Sequence, residues 1–166
     1  MNIILASQSP RRRELLERMG ISHFDIIPAP GEEFMDPALT PAQLVEGLSR
    51  QKCGAVASAR PDALVIAADT VVSIDSRVLG KPRSEAEAAE MLSALSGREH
   101  VVYTGLTVFC HGGMVTEHEA TPVRFRPLSP EDIARYIATG EPMDKAGAYG
   151  IQGYGAMLVE GISGDY

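Results

Sequence analysis

Ala63–Ile74 (ALVIAADTVVSI) constrains this chain more than any other stretch. It is rich in Val and Ile and reads as a β-strand, and at its centre stands one carboxylate, Asp69. Helix signals lie on both sides of it. Ser9-Pro10 starts a helix with Ser as N-cap and Pro in the first helical position, and Gly20 ends it. Thr40-Pro41-Ala42-Gln43 forms a capping box that opens a second helix running towards Arg60. Strands interleaved with capped helices predict one α/β domain with a mixed sheet.

The remaining elements follow from the same signals. Met1–Ala6 is a short apolar run, a strand is expected near Phe24–Pro28, and a polar loop covers Pro30–Pro37. Ser84–Glu87 is a second capping box, and its helix stops at Gly97. Val101–Cys110 and Val115–Phe125 read as a hairpin turned at His111-Gly112-Gly113. Ser129-Pro130-Glu131-Asp132 caps a fourth helix with Ile133, Tyr136 and Ile137 on one face, ended at Gly140. Met143–Gly155 is glycine-rich and irregular, and Ala156–Ile162 is a last strand. In the first helix Leu15, Leu16 and Met19 form the expected apolar face. In the second, Val45, Leu48, Ala55, Val56 and Ala59 do so.

Charge narrows the partners. With 22 Asp and Glu against 15 Lys and Arg, the formal charge of −7 repels a polyanion. Nonspecific binding to a nucleic acid polymer or an acidic membrane is therefore excluded as a first reading. No apolar stretch approaches the roughly 18 residues that span a bilayer. Cys53 and Cys110 lie far apart with no metal-binding spacing, so a reducing cytoplasm is the expected compartment.

Four places oppose their local structure, which is where function tends to reside. Arg11-Arg12-Arg13 sits in the opening turn of the first helix, where the helix dipole disfavours each cation by about 0.3–1 kcal/mol. Such a cluster, with Ser7 and Ser9 in the same loop, is either a solvated basic turn or the wall of an anion site. Asp69 is either a hydrogen-bonded structural carboxylate or a base or metal ligand facing a cleft. Thr70 follows it and points to the opposite face. Lys52 falls four residues after Leu48 on the apolar face of its helix, as a snorkelling side chain or as a phosphate ligand. Asp144–Gly153 (DKAGAYGIQG) and Gly80-Lys81-Pro82 are glycine-bearing loops that match neither a dinucleotide fingerprint nor a P-loop. Ser, Arg and Lys for phosphates, with a carboxylate for water or metal, indicate a hydrolase of a small phosphate compound.

LASQSPRRRELL at 5–16, IAADTVV at 66–72, GKP at 80–82 and DKAGAYGIQG at 144–153 together resemble the Maf family of nucleotide pyrophosphatases. The resemblance extends through Lys52, the LSGREH stretch at 95–100, Thr104 and Val123–Gly140. It implies a cytoplasmic, divalent-metal-dependent enzyme (Mg²⁺ or Mn²⁺) that cleaves nucleoside triphosphates between the α and β phosphates. The implied fold is a single elongated α/β domain with a twisted mixed sheet and a central cleft, like the house-cleaning pyrophosphatases that act on non-standard purine nucleotides. Asp69 matches the family's catalytic acid, and Ser7, Arg11, Arg12, Lys52 and Lys81 its phosphate-facing set. Glu33, beside Glu32, matches a Glu that serves metal or water placement together with Asp69. Arg12, Thr70 and Gln152 match relatives acting on dTTP and UTP, with 7-methyl-GTP or another modified purine as the alternative substrate. A further alternative is a nucleotide-binding regulator of septum formation. A homodimer is the expected assembly. Family chains continue past the Gly-Asp-Tyr at 164–166 into a Val-Gly-Leu-Pro segment and a helix, so a C-terminal segment is expected to be missing here.

Overall fold

Three helix starts fall at Ser/Thr-Pro pairs, and another falls at Ser84-Glu85. In the computed structural model, which describes residues 2–30 and 35–164, helix α1 is Pro10–Arg18, α2 is Pro41–Ala59, α3 is Glu85–Leu95 and α4 is Pro130–Ile137. Thr40 and Ser129 complete reciprocal capping boxes with Gln43 and Asp132. Ser84 caps Glu87 N–H at 3.1 Å, while the Glu87 carboxylate takes the Arg83 N–H at 2.7 Å. Ser9 occupies the N-cap position of α1 without a side-chain cap bond. At the other end of α1, Gly20 has φ 84°, and Gly20 and Ile21 N–H return to Glu17 and Leu16 carbonyls, a Schellman ending.

Among the described residues seven strands form one mixed sheet: β1 Ile3–Leu5, β2 Asp25–Ile26, β3 Leu64–Ile74, β4 Arg77–Leu79, β5 Glu99–Cys110, β6 Gly113–Phe125 and β7 Val159–Ile162. Their order is β2-β1-β3-β5-β6-β7, with β4 paired to β3. The β1 strand runs parallel to β2 and β3, whereas β3/β4 and β6/β7 are antiparallel. The β5–β6 hairpin turns on His111 and Gly112, both with positive φ, and Gly113 already belongs to β6. The β3–β4 hairpin turns in the same way on Asp75 and Ser76, at φ 49° and 61°. No Gly marks that second turn, and so it escapes a reading from turn residues. The expected last strand is shorter than its sequence signal, because Tyr154–Leu158 coils into a 3₁₀ turn before Val159.

Two compact units divide the chain, and β3, β5 and β6 each contribute residues to both. One comprises the residues up to Asp69 with Thr104–His118. Its core gathers Ile4, Ala6, Cys53, Val56, Ala57, Val65 and Ala67. Here α2 lies directly on β5: a Cβ at Gly105 would fall 2.9 Å from Glu46 N and closer still to the Val45 carbonyl, so only Gly fits. The other unit comprises Thr70–Tyr103 with the residues from Glu119 onwards. Its core is built from Leu92, Leu95, Val123, Phe125, Ile133, Tyr136, Tyr149 and Leu158.

Two apolar faces differ from the periodicity. In α1 only Leu16 is buried, and Leu15 and Met19 are exposed. In α2 the buried stripe is Leu44, Val45, Leu48, Ser49, Cys53, Val56 and Ala57, with Ala55 and Ala59 exposed. Alanine is a good helix former on either face, so its presence does not report which face is buried. Glu33, with the rest of 31–34, lies outside the described residues.

Candidate active site

Register brings the polar residues of the first unit together. Leu5 pairs with Ile66, and Ala6 N–H donates to Ile66 O at 2.8 Å, so Ser7 leaves β1 beside the Ala68–Asp69 step of β3. Arg12, one turn into α1, reaches back over that step. Its Nη1 donates to Ser7 Oγ at 3.1 Å and to Ala68 O at 2.7 Å. Ser7 Oγ also accepts from Ser9 N–H at 3.2 Å. A hydroxyl and a carbonyl thus aim the guanidinium, and Arg11 stands half-buried beside it on the helix.

Asp69 is 5% exposed, and Lys52 Nζ donates to its Oδ1. A carboxylate buried this far is costly unless paired, and here α2 delivers the partner. The Lys52 side chain keeps 18% of its surface accessible against 7% for Asp69. It therefore approaches the carboxylate from the more open side, as a long flexible ammonium can. Ser49, one turn earlier on α2, is fully buried and shares a hydrogen bond of 2.8 Å with Thr107 on β5. Thr107 in turn meets Thr116 on β6 at 3.0 Å. This hydroxyl chain and Gly105 fix the depth and register of the helix that carries Lys52.

The structure therefore brings Ser7, Arg12, Lys52 and Asp69 into one unit, while Thr70, Lys81 and Gln152 belong to the other. Thr70 is half-buried, and Lys81 and Gln152 are exposed. Gly147 N–H donates to Gly80 O at 3.0 Å, which ties the Lys81 turn to the glycine-rich segment within the second unit. Lys145, the third lysine, is not available in the same way: its Nζ donates to Glu141 O at 2.7 Å and Asp144 Oδ1 at 2.6 Å. Among the described residues no three His, Cys, Asp or Glu side chains converge. Asp69 is the described carboxylate of the expected metal pair. A hard divalent cation that keeps several waters needs no more than one or two protein carboxylates, and Asp69 is a donor of that kind.

Two groups in the second unit carry no obvious sequence signal. His100 is 2% exposed, and its Nε2 lies 2.7 Å from Tyr149 Oη, with Phe125 and Tyr149 packed edge-on at 4.9 and 5.4 Å. Its Nδ1 is buried without a hydrogen-bond partner. Burial pushes the imidazole down to about 4 and the Tyr149 phenol upward, so both are neutral at pH 7. Glu141 is the other. Its carboxylate accepts from Tyr136 Oη at 2.8 Å, Tyr154 N–H at 2.9 Å and Gly155 N–H at 3.1 Å. A single acidic residue in a loop looks unremarkable in sequence; the signal is the run of glycines at 150, 153 and 155, which pack against Lys145, Glu141 and Tyr136.

The mixed α/β sheet thus sets a lysine on a strand-borne carboxylate, with an arginine and a serine beside the preceding residue. The chain belongs to the Maf family: residues 2–166 match the family described as Maf-like protein. It is 55% identical over 166 residues to the dTTP/UTP pyrophosphatase of Moorella thermoacetica, covering 99% of this chain and 85% of that protein. It is 52% identical over 164 residues to the dTTP/UTP pyrophosphatase of Bacillus velezensis, covering 99% and 86%. The Bacillus cereus protein of the same name is 51% identical over 164 residues, with 99% and 85% covered. Among solved structures, a nucleoside-triphosphatase (dITP/XTP pyrophosphatase) of Mycobacterium abscessus superposes with a TM-score of 0.48 at 16% identity, covering 86% of this chain and all of that one. No helix among the described residues is long and apolar enough to cross a membrane.

Proposed function

We propose that this chain hydrolyses dTTP and UTP to the nucleoside monophosphate and pyrophosphate, acting on free nucleotides in the cytoplasm. The observation that carries this is its 55% identity, over almost its whole length, to a protein named dTTP/UTP pyrophosphatase. The grouping of Ser7, Arg12 and Lys52 around Asp69 supports it, because a triphosphate needs cations and a water needs a base.

Water attacks the α-phosphorus in line with the departing β-phosphate oxygen. The new O–P bond forms as the Pα–O–Pβ bridge breaks, and the water proton passes to the Asp69 carboxylate. In the structure that carboxylate accepts a hydrogen bond from Lys52. An arriving triphosphate competes for the ammonium, so Lys52 turns to a phosphate oxygen and releases Asp69 as a base. Arg12, already aimed by Ser7 and Ala68 O, neutralises charge on the phosphates with little reorganisation. Arg11 and Lys81 are assigned the remaining phosphate charge, and Gln152 and Thr70 the base. Gln152 offers both a donor and an acceptor, which suits the edge of uracil or thymine. Asp69, with Glu33 in its expected supporting role, would hold a divalent cation, which when bound would supply charge stabilisation.

Incubation with dTTP or UTP and Mg²⁺, with pyrophosphate resolved from orthophosphate, tests the reaction. Equimolar monophosphate and pyrophosphate are expected. Orthophosphate as the sole primary product would overturn the assignment. Chelation of the cation is expected to abolish turnover, and re-addition of Mg²⁺ or Mn²⁺ to restore it.

A further inference from the structure

The glycine-rich segment after α4 does more than bend. Gly153 N–H returns to Gly150 O at 3.2 Å, closing a four-residue turn with Ile151 and Gln152 at its tip. Both shoulders of that turn are anchored. On one side Gly150 N–H donates to Tyr136 Oη at 3.0 Å. On the other, Tyr154 and Gly155 N–H donate to the two oxygens of Glu141, at 2.9 and 3.1 Å. The anchors are themselves joined, because the Tyr136 hydroxyl donates to Glu141 Oε1 at 2.8 Å. Tyr136 is buried on α4, so the whole assembly is referenced to a helix rather than to solvent.

The glycines are required by this closeness. A Cβ at Gly155 would fall 2.6 Å from Gly150 O and 2.8 Å from Tyr136 Oη, and one at Gly153 would run into the Glu141 carboxylate. A Cβ at Gly150 would meet Lys145 Cε at 2.5 Å, and Lys145 is in turn pinned to the Glu141 carbonyl. The turn is therefore packed closely against Glu141, Lys145 and Tyr136. Gln152 at its tip is exposed. An exposed side chain on a turn fixed from both shoulders is the arrangement of a recognition group, since its amide is displayed with little backbone entropy left to lose on binding.

We propose that Tyr136 and Glu141 are positioning residues for base recognition: together they hold the Gly150–Gly153 turn so that Gln152 reads the pyrimidine edge of the nucleotide. This rests on the proposed pyrimidine triphosphate activity and goes beyond it by assigning two residues that touch neither phosphate nor base. Glu141 acts as an acceptor-only carboxylate facing three neutral donors, so its charge is spent on the loop and not on the substrate. Because the pair acts on the base and leaves the phosphates to other groups, its loss alters which nucleotide is preferred more than how fast the bond breaks.

The experiment compares kcat/KM for UTP with kcat/KM for GTP in wild type, Tyr136→Phe, Glu141→Gln and Gln152→Ala. The ratio cancels the concentration of folded enzyme, so a variant that merely folds less well does not move it. Tyr136→Phe keeps the ring in the core and removes only the hydroxyl, so it stands even where Glu141→Gln folds poorly. The UTP/GTP ratio is expected to fall about tenfold in Gln152→Ala and in Tyr136→Phe, mainly through KM for UTP, as the loss of a well-placed hydrogen bond predicts. A ratio lowered in Gln152→Ala but unchanged in Tyr136→Phe and Glu141→Gln overturns the positioning role alone. An unchanged ratio in Gln152→Ala overturns base reading by Gln152, and the clamp's purpose with it.

Discussion

Each unit carries one conspicuous carboxylate, and the two are held in opposite ways. Asp69 is gripped by another charge, the Lys52 ammonium. Glu141 is ringed by neutral donors: one phenol and two backbone N–H groups. Burial, the largest influence on Glu141, pushes its carboxyl upward. The Tyr154 and Gly155 N–H groups, the Tyr136 hydroxyl and Lys145 together outweigh it and hold the carboxyl below the usual range. Neutral donors belonging to backbone and core cannot leave, so such a carboxylate is a fixture. A lysine on four methylenes can be drawn away by a better anion, so its carboxylate can be put to use. The difference separates a group that does chemistry from a group that holds a loop.

The largest expected effect breaks the charged member. Asp69→Asn keeps the shape and removes the base, and kcat for pyrophosphate release should fall by about 10²–10⁴. An undiminished rate would remove Asp69 from the reaction. The same pair sharpens the comparison through stability. Lys52→Met leaves a buried carboxylate without this cation and should cost about 3 kcal/mol or more in urea denaturation. Adding Asp69→Asn to Lys52→Met should then recover about 1–4 kcal/mol, because a neutral pair needs no desolvation of charge. No such recovery is expected at Glu141, whose hydrogen-bond donors are neutral and lose their acceptor on its removal. A double variant no more stable than Lys52→Met would erase the distinction.

Much of this layout could be read in advance, and the rest was hidden for physical reasons. Thr40 and Ser129 announce their helices because capping is local, within four residues. Asp69 stands out because a carboxylate in an apolar strand breaks a pattern visible in one dimension. Glu141 and His100 break no local pattern. Glu141 is defined by donors 13 and 14 residues away, and His100 by a tyrosine 49 residues on. The Asp75-Ser76 turn adopts positive φ without glycine, so register with β4, not turn chemistry, imposes it. Leu15 and Met19 show the converse limit, since an apolar stripe at helical spacing does not say how much of it will be covered.

The next effect is acid sensitivity centred on the second unit. Burial holds His100 at about 4 in the folded protein, below its ordinary value of 6.5. The unfolded chain therefore binds the extra proton first as pH falls. The stability tied to neutral His100 is present in full above pH 6.5 and drains away between 6.5 and about 4, by about 3 kcal/mol. Glu141 adds to the decline only further down, below its ordinary 4.5, because its folded carboxyl is depressed. Urea midpoints at pH 7.5, 6 and 5 check the sign. In His100→Gln the slope between 7.5 and 5 should flatten, and a slope equal to wild type would place the acid sensitivity elsewhere.

The smallest effect concerns how Lys52 is delivered. Thr40 accepts from Gln43 N–H at 3.3 Å and so starts α2, twelve residues before the lysine. Thr40→Ala should cost about 1 kcal/mol of stability by the loss of that cap. It should leave kcat for UTP as in wild type, because Gly105 and the Ser49–Thr107 hydrogen bond set the helix on β5 much nearer to Lys52. Thr107→Val is the counterpart. It is nearly isosteric, removes no cap, and leaves the buried Ser49 hydroxyl without its partner on β5. A rise in KM for UTP in Thr107→Val, with none in Thr40→Ala, would locate the positioning of Lys52 in the helix–sheet contact. Equal kinetics in the two variants would mean that α2 holds its lysine in place by packing alone, with no contribution from the hydroxyl chain.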